Sequence, residues 1–99
     1  MPYEVVFPSK RVEREFEKAL RKIPSDDQRA IVQSIRSLST EPHPPGKRSK
    51  KLMGGVVVSH FTAQYRLRIG PYRVLYDVDE HSKRVILFKL AKRDEHTYR

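Results

Sequence analysis

The sequence lacks cysteine altogether, which excludes disulfide bonds and any thiolate chemistry. It also lacks an apolar run approaching the roughly 20 residues that a membrane-spanning helix needs. The N-terminal segment Met1–Phe7 has neither the basic start nor the long apolar stretch of a secretory signal. These absences predict a cytoplasmic protein with no membrane partner.

Several enzyme classes are excluded by missing motifs. The sequence has no glycine-rich phosphate loop and no Gly-x-Ser-x-Gly elbow of a serine hydrolase. Its histidines are scattered, no two of them stand at metal-ligand spacing, and we interpret each as a surface or loop residue. The four are His43, His60, His81 and His96. We therefore expect neither a metal ion nor a cofactor.

The length of 99 residues predicts one domain spanning residues 1–99. Only 37% of the residues are hydrophobic and 33% are charged. A chain this short buries only about 60–70% of the surface that it exposes when unfolded. We therefore expect one sheet with a few covering helices, a thin core and a highly charged surface.

The excess of positive charge is concentrated in the second half of the chain. Residues 1–45 hold 8 basic and 7 acidic residues, whereas residues 46–99 hold 13 basic and 5 acidic residues. The whole chain carries a formal net charge of +9. Such asymmetry indicates a polyanionic partner for the C-terminal half, and nucleic acid is the leading candidate.

The first half of the chain predicts a short strand followed by two helices. The β-branched and aromatic run Tyr3–Phe7 is typical of a strand, and Ser9 can cap the helix that follows Pro8. Ser25 and Gln28 form a capping-box pattern at the start of the second helix. The apolar residues of both helices recur at helical spacing and predict a hairpin packed on a sheet. They are Val12, Phe16, Ala19, Leu20 and Ile23 in the first helix, and Ala30, Ile31, Ile35 and Leu38 in the second.

The second half predicts strands. Residues 39–51, rich in proline and ending in a basic tail, are predicted to form a loop. Val56–Val58, Tyr65–Ile69, Tyr72–Val78 and Val85–Leu90 are typical of strands, with a Gly-Pro turn after Ile69. The predicted fold is α+β with the order β-α-α-β-β-β. In it, a helical hairpin packs on one face of a mainly antiparallel four-stranded sheet.

Arginines alternate with apolar residues along one of these strands. Period-two alternation places Arg66 and Arg68 on the same face, and Arg73 follows just after the turn. The planar guanidinium group matches phosphate oxygens, so converging arginines can bind RNA and stabilise the charge of a pentacoordinate transition state. Five further basic residues are predicted to bind RNA: Lys47, Lys50, Lys51, Lys89 and Lys92.

Three segments carry a resemblance to a known family. Tyr65–Tyr76, read as YRLRIGPYRVLY, resembles the YRIRVGDYRVIY signature of the RelE/ParE superfamily of toxin–antitoxin toxins. Lys51–Gly54 resembles the KL-x-G that precedes this signature, and Lys92–Arg99 resembles the terminal HRR-x-x-YR. The order of elements also matches, so the resemblance covers essentially the whole chain. The segment between Gly54 and Tyr65 is longer than in the commonest family pattern, and Lys92 stands where many members have histidine.

The resemblance implies a function in the RelE-like branch, whose members are ribosome-dependent endoribonucleases that cleave messenger RNA and inhibit translation. In that branch the ribose 2′-hydroxyl attacks the adjacent phosphate and leaves a 2′,3′-cyclic phosphate. The catalytic residues implied by the match are Arg66, Arg68, Arg73, Arg93 and Tyr98. Tyr98 would stack on a base or take part in proton transfer.

Two alternatives remain open at this point. A ParE-like chain would instead be a non-enzymatic toxin that inhibits DNA gyrase. A plain nucleic-acid-binding module would bind RNA and DNA in a salt-dependent way without toxicity. Either toxin hypothesis implies a cognate antitoxin, acidic and RelB-like, while the ribonuclease hypothesis adds the ribosome and messenger RNA as partners.

Overall fold

The computed structural model describes residues 2–44, 46 and 48–92, which form two helices and one five-stranded sheet. In chain order the elements are β1 (Glu4–Val6), α1 (Lys10–Arg21), α2 (Ser25–Ser37), β2 (Ser49–Val58), β3 (Phe61–Ile69), β4 (Tyr72–Asp79) and β5 (Arg84–Lys92). The α+β class and the helical hairpin are as predicted. Neither helix of this described part is long and apolar enough to cross a membrane.

The predicted four-stranded sheet is wrong in its strand count. The sheet has the order β1-β5-β4-β3-β2, in which β1 pairs with β5 in parallel and every other pair is antiparallel. Strand β2 contains the predicted run Val56–Val58 and extends back to Ser49, inside the predicted loop. Its first residues are polar and basic, so their strand character comes from pairing with β3 and not from local propensity.

The two helices begin differently. Ser9 caps α1 as predicted, because the Val12 amide donates to its hydroxyl at 3.2 Å. The predicted capping box of α2 does not form: Pro24 occupies the cap position, and Ser25 is already the first helical residue. Gln28 instead donates its side-chain amide to the carbonyl of Ile23 at 2.8 Å, which joins the start of α2 to the end of the preceding turn.

The sheet buries a separate apolar cluster on each face. The first cluster lies under the helices. There the side chains of Ile31, in α2, and of Leu38, which caps the end of α2, are fully buried. Ala30, predicted to share their face, is exposed. The second cluster centres on Ala63, Leu75 and Phe88 and contains no helical residue. It is covered by apolar side chains of β2 and β3, namely Leu52, Val56, Val58 and Phe61.

A large bulge in β2 accommodates the long segment before Tyr65. Lys51 pairs with Tyr65 and Val56 pairs with Ala63, so Leu52–Gly55 stand opposite Gln64 alone. Gly54 and Gly55 both have a left-handed backbone, with φ of 73° and 72°. This conformation is strained for residues with a Cβ, and the bulge bends the β2–β3 hairpin.

The two glycines should differ sharply in their tolerance of alanine. A Cβ on Gly55 would lie 2.5 Å from the Thr62 Cγ2 atom, whereas a Cβ on Gly54 would meet nothing within 4 Å. Both substitutions incur the left-handed penalty of about 1 kcal/mol, but only Gly55→Ala adds a clash. We expect Gly55→Ala to lower the free energy of unfolding by roughly 1–3 kcal/mol more than Gly54→Ala does. Urea denaturation of the two variants measures this difference, and equal losses would contradict the bulge geometry.

Candidate functional site

The face of the sheet opposite the helices carries two adjacent rows of basic residues. The strand register aligns Lys50, Arg66, Leu75 and Lys89 in one row across β2, β3, β4 and β5. The next row aligns Arg68 with Arg73, and the Arg68 amide donates to the Arg48 carbonyl at 2.7 Å. Neighbouring strands lie about 4.8 Å apart, so these side chains share one surface. We call this surface the basic face: Arg48, Lys50, Arg66, Arg68, Arg73 and Lys89.

Lys89 reaches the basic face because β5 contains a bulge. Leu75 pairs with Lys89 while the next residue, Tyr76, pairs with Leu87, so Phe88 is an extra residue in β5. Without it, strict alternation would place Lys89 on the same face as Leu87, under the helices. The bulge therefore adds a cation to the row that contains Arg66.

Arg73 is the most buried residue of the basic face, with only 6% of its surface exposed. Its Nη1 atom donates to the carbonyl of Gly70 at 3.3 Å and to that of Tyr72 at 3.0 Å. These bonds hold the guanidinium group against the β3–β4 turn, next to its cross-strand neighbour Arg68. A guanidinium with a fixed orientation is preorganised for an anion, since little reorganisation is needed when the anion binds.

Arg66 has an incomplete set of hydrogen bonds. Its Nε atom is buried and has no hydrogen-bond partner among the described residues. Leaving a buried donor without an acceptor costs free energy, all the more so when the donor belongs to a charged group. An anion bound at this point of the face would supply the missing acceptor.

Within the described ranges, no carboxylate forms an ion pair with Lys50, Arg66 or Arg68. The ion pairs of this described part are Arg29–Asp26, His43–Glu80 and Arg84–Glu4. Asp77 lies on the same face of β4, two residues beyond Leu75, and its partial burial raises the pKa of its carboxyl group. Like charges gathered on one surface attract a polyanion and repel one another in its absence.

A buried tyrosine fixes the start of β2, which carries Lys50 and directly follows Arg48. The Tyr76 hydroxyl lies 2.7 Å from the Ser49 hydroxyl and donates to the carbonyl of Pro42 at 2.9 Å. Burial of this side chain raises the pKa of its phenol, which therefore stays protonated at neutral pH. The start of β2 is thereby tied to the centre of the sheet through Tyr76.

The predicted site residues are thus distributed unevenly. The structure brings together Arg66, Arg68 and Arg73 with two of the predicted lysines, Lys50 and Lys89. Lys51 and Lys92 align with Tyr65 and Tyr72 of the first cluster, and therefore belong to the opposite face. The predicted residues Lys47, Arg93 and Tyr98 lie outside the described residues.

Arg48 is a member of the basic face that sequence reasoning missed. It lies in the predicted loop and precedes β2, but its carbonyl accepts from the Arg68 amide, which continues the β2–β3 pairing by one residue. It stands two residues before Lys50, and this spacing is the signal for placing both residues on one face. The described histidines lie away from the face: His43 contacts Glu80, and His60 and His81 are in turns. Within the described residues, no group of three or more histidine, aspartate or glutamate side chains could hold a metal ion.

The fold resembles those of solved toxin structures. A chain of the archaeal RelE–RelB complex from Pyrococcus horikoshii is 30% identical, with a TM-score of 0.72 over 96% of this chain and 99% of that one. A chain of the toxin–antitoxin complex RelBE2 from Mycobacterium tuberculosis is 25% identical, with a TM-score of 0.67 over 96% and 95% of the two chains. A mutant of Escherichia coli RelE in the free state, 18% identical, shares the fold with a TM-score of 0.55 over 95% and 86%.

A search among curated protein sequences finds no match. A family model does match, and its description is the ParE toxin of the type II toxin–antitoxin system parDE. The match covers residues 6–96, which is almost the whole chain and includes every strand of the basic face. The chain therefore belongs to the ParE toxin family within the RelE/ParE superfamily, and it is a toxin of a type II toxin–antitoxin system with the fold of RelE.

Proposed function

We propose that this toxin is an endoribonuclease that cleaves messenger RNA on the ribosome and so inhibits translation in the cytoplasm. The observation that carries the proposal is the basic face, in which Arg66, Arg68 and Arg73 lie on two adjacent strands and are flanked by basic residues on both sides. A polyanion with closely spaced phosphates matches this surface in charge and in spacing.

The chemistry is the one that the resemblance to the RelE-like branch implies. The ribose 2′-hydroxyl loses its proton to solvent and attacks the neighbouring phosphorus, the bond to the 5′-oxygen breaks, this oxygen takes up a proton, and a 2′,3′-cyclic phosphate remains. Arg66 and Arg68 would stabilise the extra negative charge of the pentacoordinate transition state, and the Arg66 Nε atom would gain its missing acceptor. Arginine is a poor general base, because it stays protonated at neutral pH. The contribution of the basic face is therefore electrostatic.

The proposal assigns supporting roles to other basic residues and to the end of the chain. Arg48, Lys50 and Lys89 would bind the phosphates on either side of the cleaved bond. These contacts would position the RNA and would take no part in the reaction itself. Lys47, Lys51 and Lys92 would bind RNA farther away. Arg93 would complete the charge around the phosphate, and Tyr98 would stack on a base and orient the 2′-hydroxyl for in-line attack.

A cognate antitoxin is part of the proposal. Two of the similar structures are toxin–antitoxin complexes, one of them of RelE with RelB. An uncontrolled toxin would harm its own cell, and a chain with a net charge of +9 is complementary to an acidic protein. We therefore propose an acidic, RelB-like partner that neutralises this toxin.

Primer extension on messages from cells that express the chain tests the proposed activity. We expect new 5′ ends within translated regions soon after induction, and we expect a translation inhibitor to abolish them. Messages whose start codon has been removed are the matched control, because ribosomes do not translate them. Toxicity without any new 5′ ends would contradict the ribonuclease proposal.

A second candidate function is the inhibition of DNA gyrase without catalysis. The observation that favours it is the family model itself, whose description names ParE and not RelE. Its signature would be loss of gyrase activity in a purified supercoiling assay, together with intact messages in the same cells. The two assays performed on one preparation distinguish the functions.

A further inference from the structure

A carboxylate in the turn between β4 and β5 joins three segments that are distant in sequence. Glu80 accepts a hydrogen bond from the Tyr3 hydroxyl through one oxygen, and its other oxygen lies 3.0 Å from the His43 Nε2 atom. Because a carboxylate only accepts hydrogen bonds, the His43 Nε2 atom is the donor. The bond from Tyr3, and then the bond from His43, lower the pKa of the Glu80 carboxyl group. We call Tyr3, His43 and Glu80 the Glu80 junction.

The connection between α2 and β2 leads from this junction to the basic face. At its beginning, the imidazole of His43 packs edge-on against the Tyr65 ring, with 5.0 Å between the ring centroids. At its end, the Arg48 carbonyl accepts from the Arg68 amide at 2.7 Å. Both ends of this short segment are therefore held against β3. The first end contacts Glu80, and the second end carries a cation of the basic face.

The cations at the start of β2 are weakly held by the rest of the protein. Among the described strands, β2 lies at one edge of the sheet, so Lys50 has a strand neighbour on one side only. Arg48 and Lys50 are both exposed, and neither belongs to an ion pair within the described ranges. A flexible backbone at this point would have to be ordered when RNA binds, at a cost in conformational entropy. Contacts that fix this backbone in advance therefore favour RNA binding.

We propose that Glu80 is a positioning residue for RNA, which acts through His43 and the connection to hold Arg48 and Lys50 in place. The inference rests on the proposed function, since it assumes that the basic face binds RNA. Glu80 would not contact RNA, because its negative charge repels a polyanion. The sign of the effect is therefore diagnostic. If only the charge of Glu80 mattered, its removal would strengthen RNA binding, whereas the positioning role makes its removal weaken RNA binding.

Single-turnover cleavage of messenger RNA on purified ribosomes, measured over a range of toxin concentrations, separates binding from the chemical step. Glu80→Ala removes both hydrogen bonds and is expected to raise the half-saturating toxin concentration by about three- to tenfold. The rate at saturation should stay within about twofold of wild type, because no group at the cleaved bond has changed. Urea denaturation confirms that the variant is folded under the assay conditions.

Glu80→Gln is the matched control for charge. It removes the same charge as Glu80→Ala but keeps an oxygen for the Tyr3 hydroxyl and an amide that can donate to the His43 ring, so we expect a half-saturating concentration within about twofold of wild type. A second control is Glu4→Ala, which removes an acid and its exposed ion pair with Arg84 beside the same turn. This variant is expected not to raise the half-saturating concentration.

A double-variant cycle tests the route of the effect. Replacing Arg48 and Lys50 together by glutamine removes the cations that the junction is proposed to position. In that background we expect Glu80→Ala to raise the half-saturating concentration by less than about 1.5-fold, because those cations are no longer present. Hydrogen exchange gives a readout that does not depend on RNA. The Arg68 amide, which donates to the Arg48 carbonyl, should exchange faster in Glu80→Ala than in Glu80→Gln.

Three outcomes would overturn the inference while leaving the proposed function intact. Unchanged or tighter RNA binding by Glu80→Ala would exclude the positioning role. Equal effects of the alanine and glutamine variants would exclude the hydrogen bonds as its cause. An undiminished effect in the background without the Arg48 and Lys50 cations would show that Glu80 acts on the fold as a whole. If the wild-type toxin cleaves no message on the ribosome, the proposed function fails, and the inference fails with it.

Discussion

Replacing Arg66 and Arg68 together by glutamine is expected to reduce the rate of messenger RNA cleavage by about 10³-fold or more. Loss of a single preorganised donor to a transition-state charge typically costs about 10²- to 10³-fold in rate, and this variant removes two guanidinium groups from β3. Glutamine keeps much of the side-chain length and its hydrogen-bonding capacity, so the change isolates the charge. Primer extension after induction, with growth of the expressing cells as a second readout, measures the effect.

The matched control replaces Arg29 and Arg36 of α2 by glutamine. Both arginines are exposed, and replacing them removes the same net charge from the side of the sheet opposite the basic face. We expect this control to retain full toxicity and wild-type cleavage. Equal losses in the two double variants would show that net charge matters and that the basic face does not, and the proposed site would then be wrong.

Arg73 is less suitable for this test than its cross-strand neighbour. The sequence singles it out because it follows the turn within the most specific motif. In the structure its guanidinium group binds the carbonyls of Gly70 and Tyr72, so its removal also disturbs the β3–β4 turn. Loss of function in an Arg73 variant would therefore combine effects on folding and on catalysis.

Ile31→Ala is expected to lower the free energy of unfolding by about 2–5 kcal/mol. Ile31 is completely buried between α2 and the sheet, and truncation removes contacts and leaves a cavity that a small core fills poorly. Urea denaturation monitored by circular dichroism measures the loss. Gln33→Ala, two residues along the same helix and exposed, is the control and should change stability by less than about 0.5 kcal/mol. A loss below about 1 kcal/mol for Ile31→Ala would contradict the packing of α2 on the sheet.

The alternation of residues along single strands was sufficient to predict the centre of the basic face. Arg66 and Arg68 share a face because side chains alternate along β3, and the turn at Gly70 then brings Arg73 opposite Arg68. The distribution of the lysines could not be obtained in this way. The position of Lys89 depends on the bulge at Phe88, and bulges are set by contacts between strands that are distant in sequence.

The start of β2 shows the same limit. Ser49, Lys50 and Lys51 have the composition of a loop, and only their pairing with Leu67, Arg66 and Tyr65 makes them part of a strand. This pairing places Lys50 on the face of the sheet that carries Arg66, and Lys51 on the opposite face. Local propensity carries no information about such pairing, whereas the helical spacing of Val12 and Phe16 predicted the buried side of α1 directly.

The strand order also determines when during synthesis the sheet can be completed. Among the described strands β5 is translated last, yet it lies inside the sheet between β1 and β4. Pairing of Glu4–Val6 with Arg84–Ile86 closes a loop of nearly the whole chain, which carries a high entropic cost and slows folding. A nascent chain therefore lacks this internal strand until translation has passed residue 92. A partly made toxin therefore lacks Lys89, and with it a finished basic face.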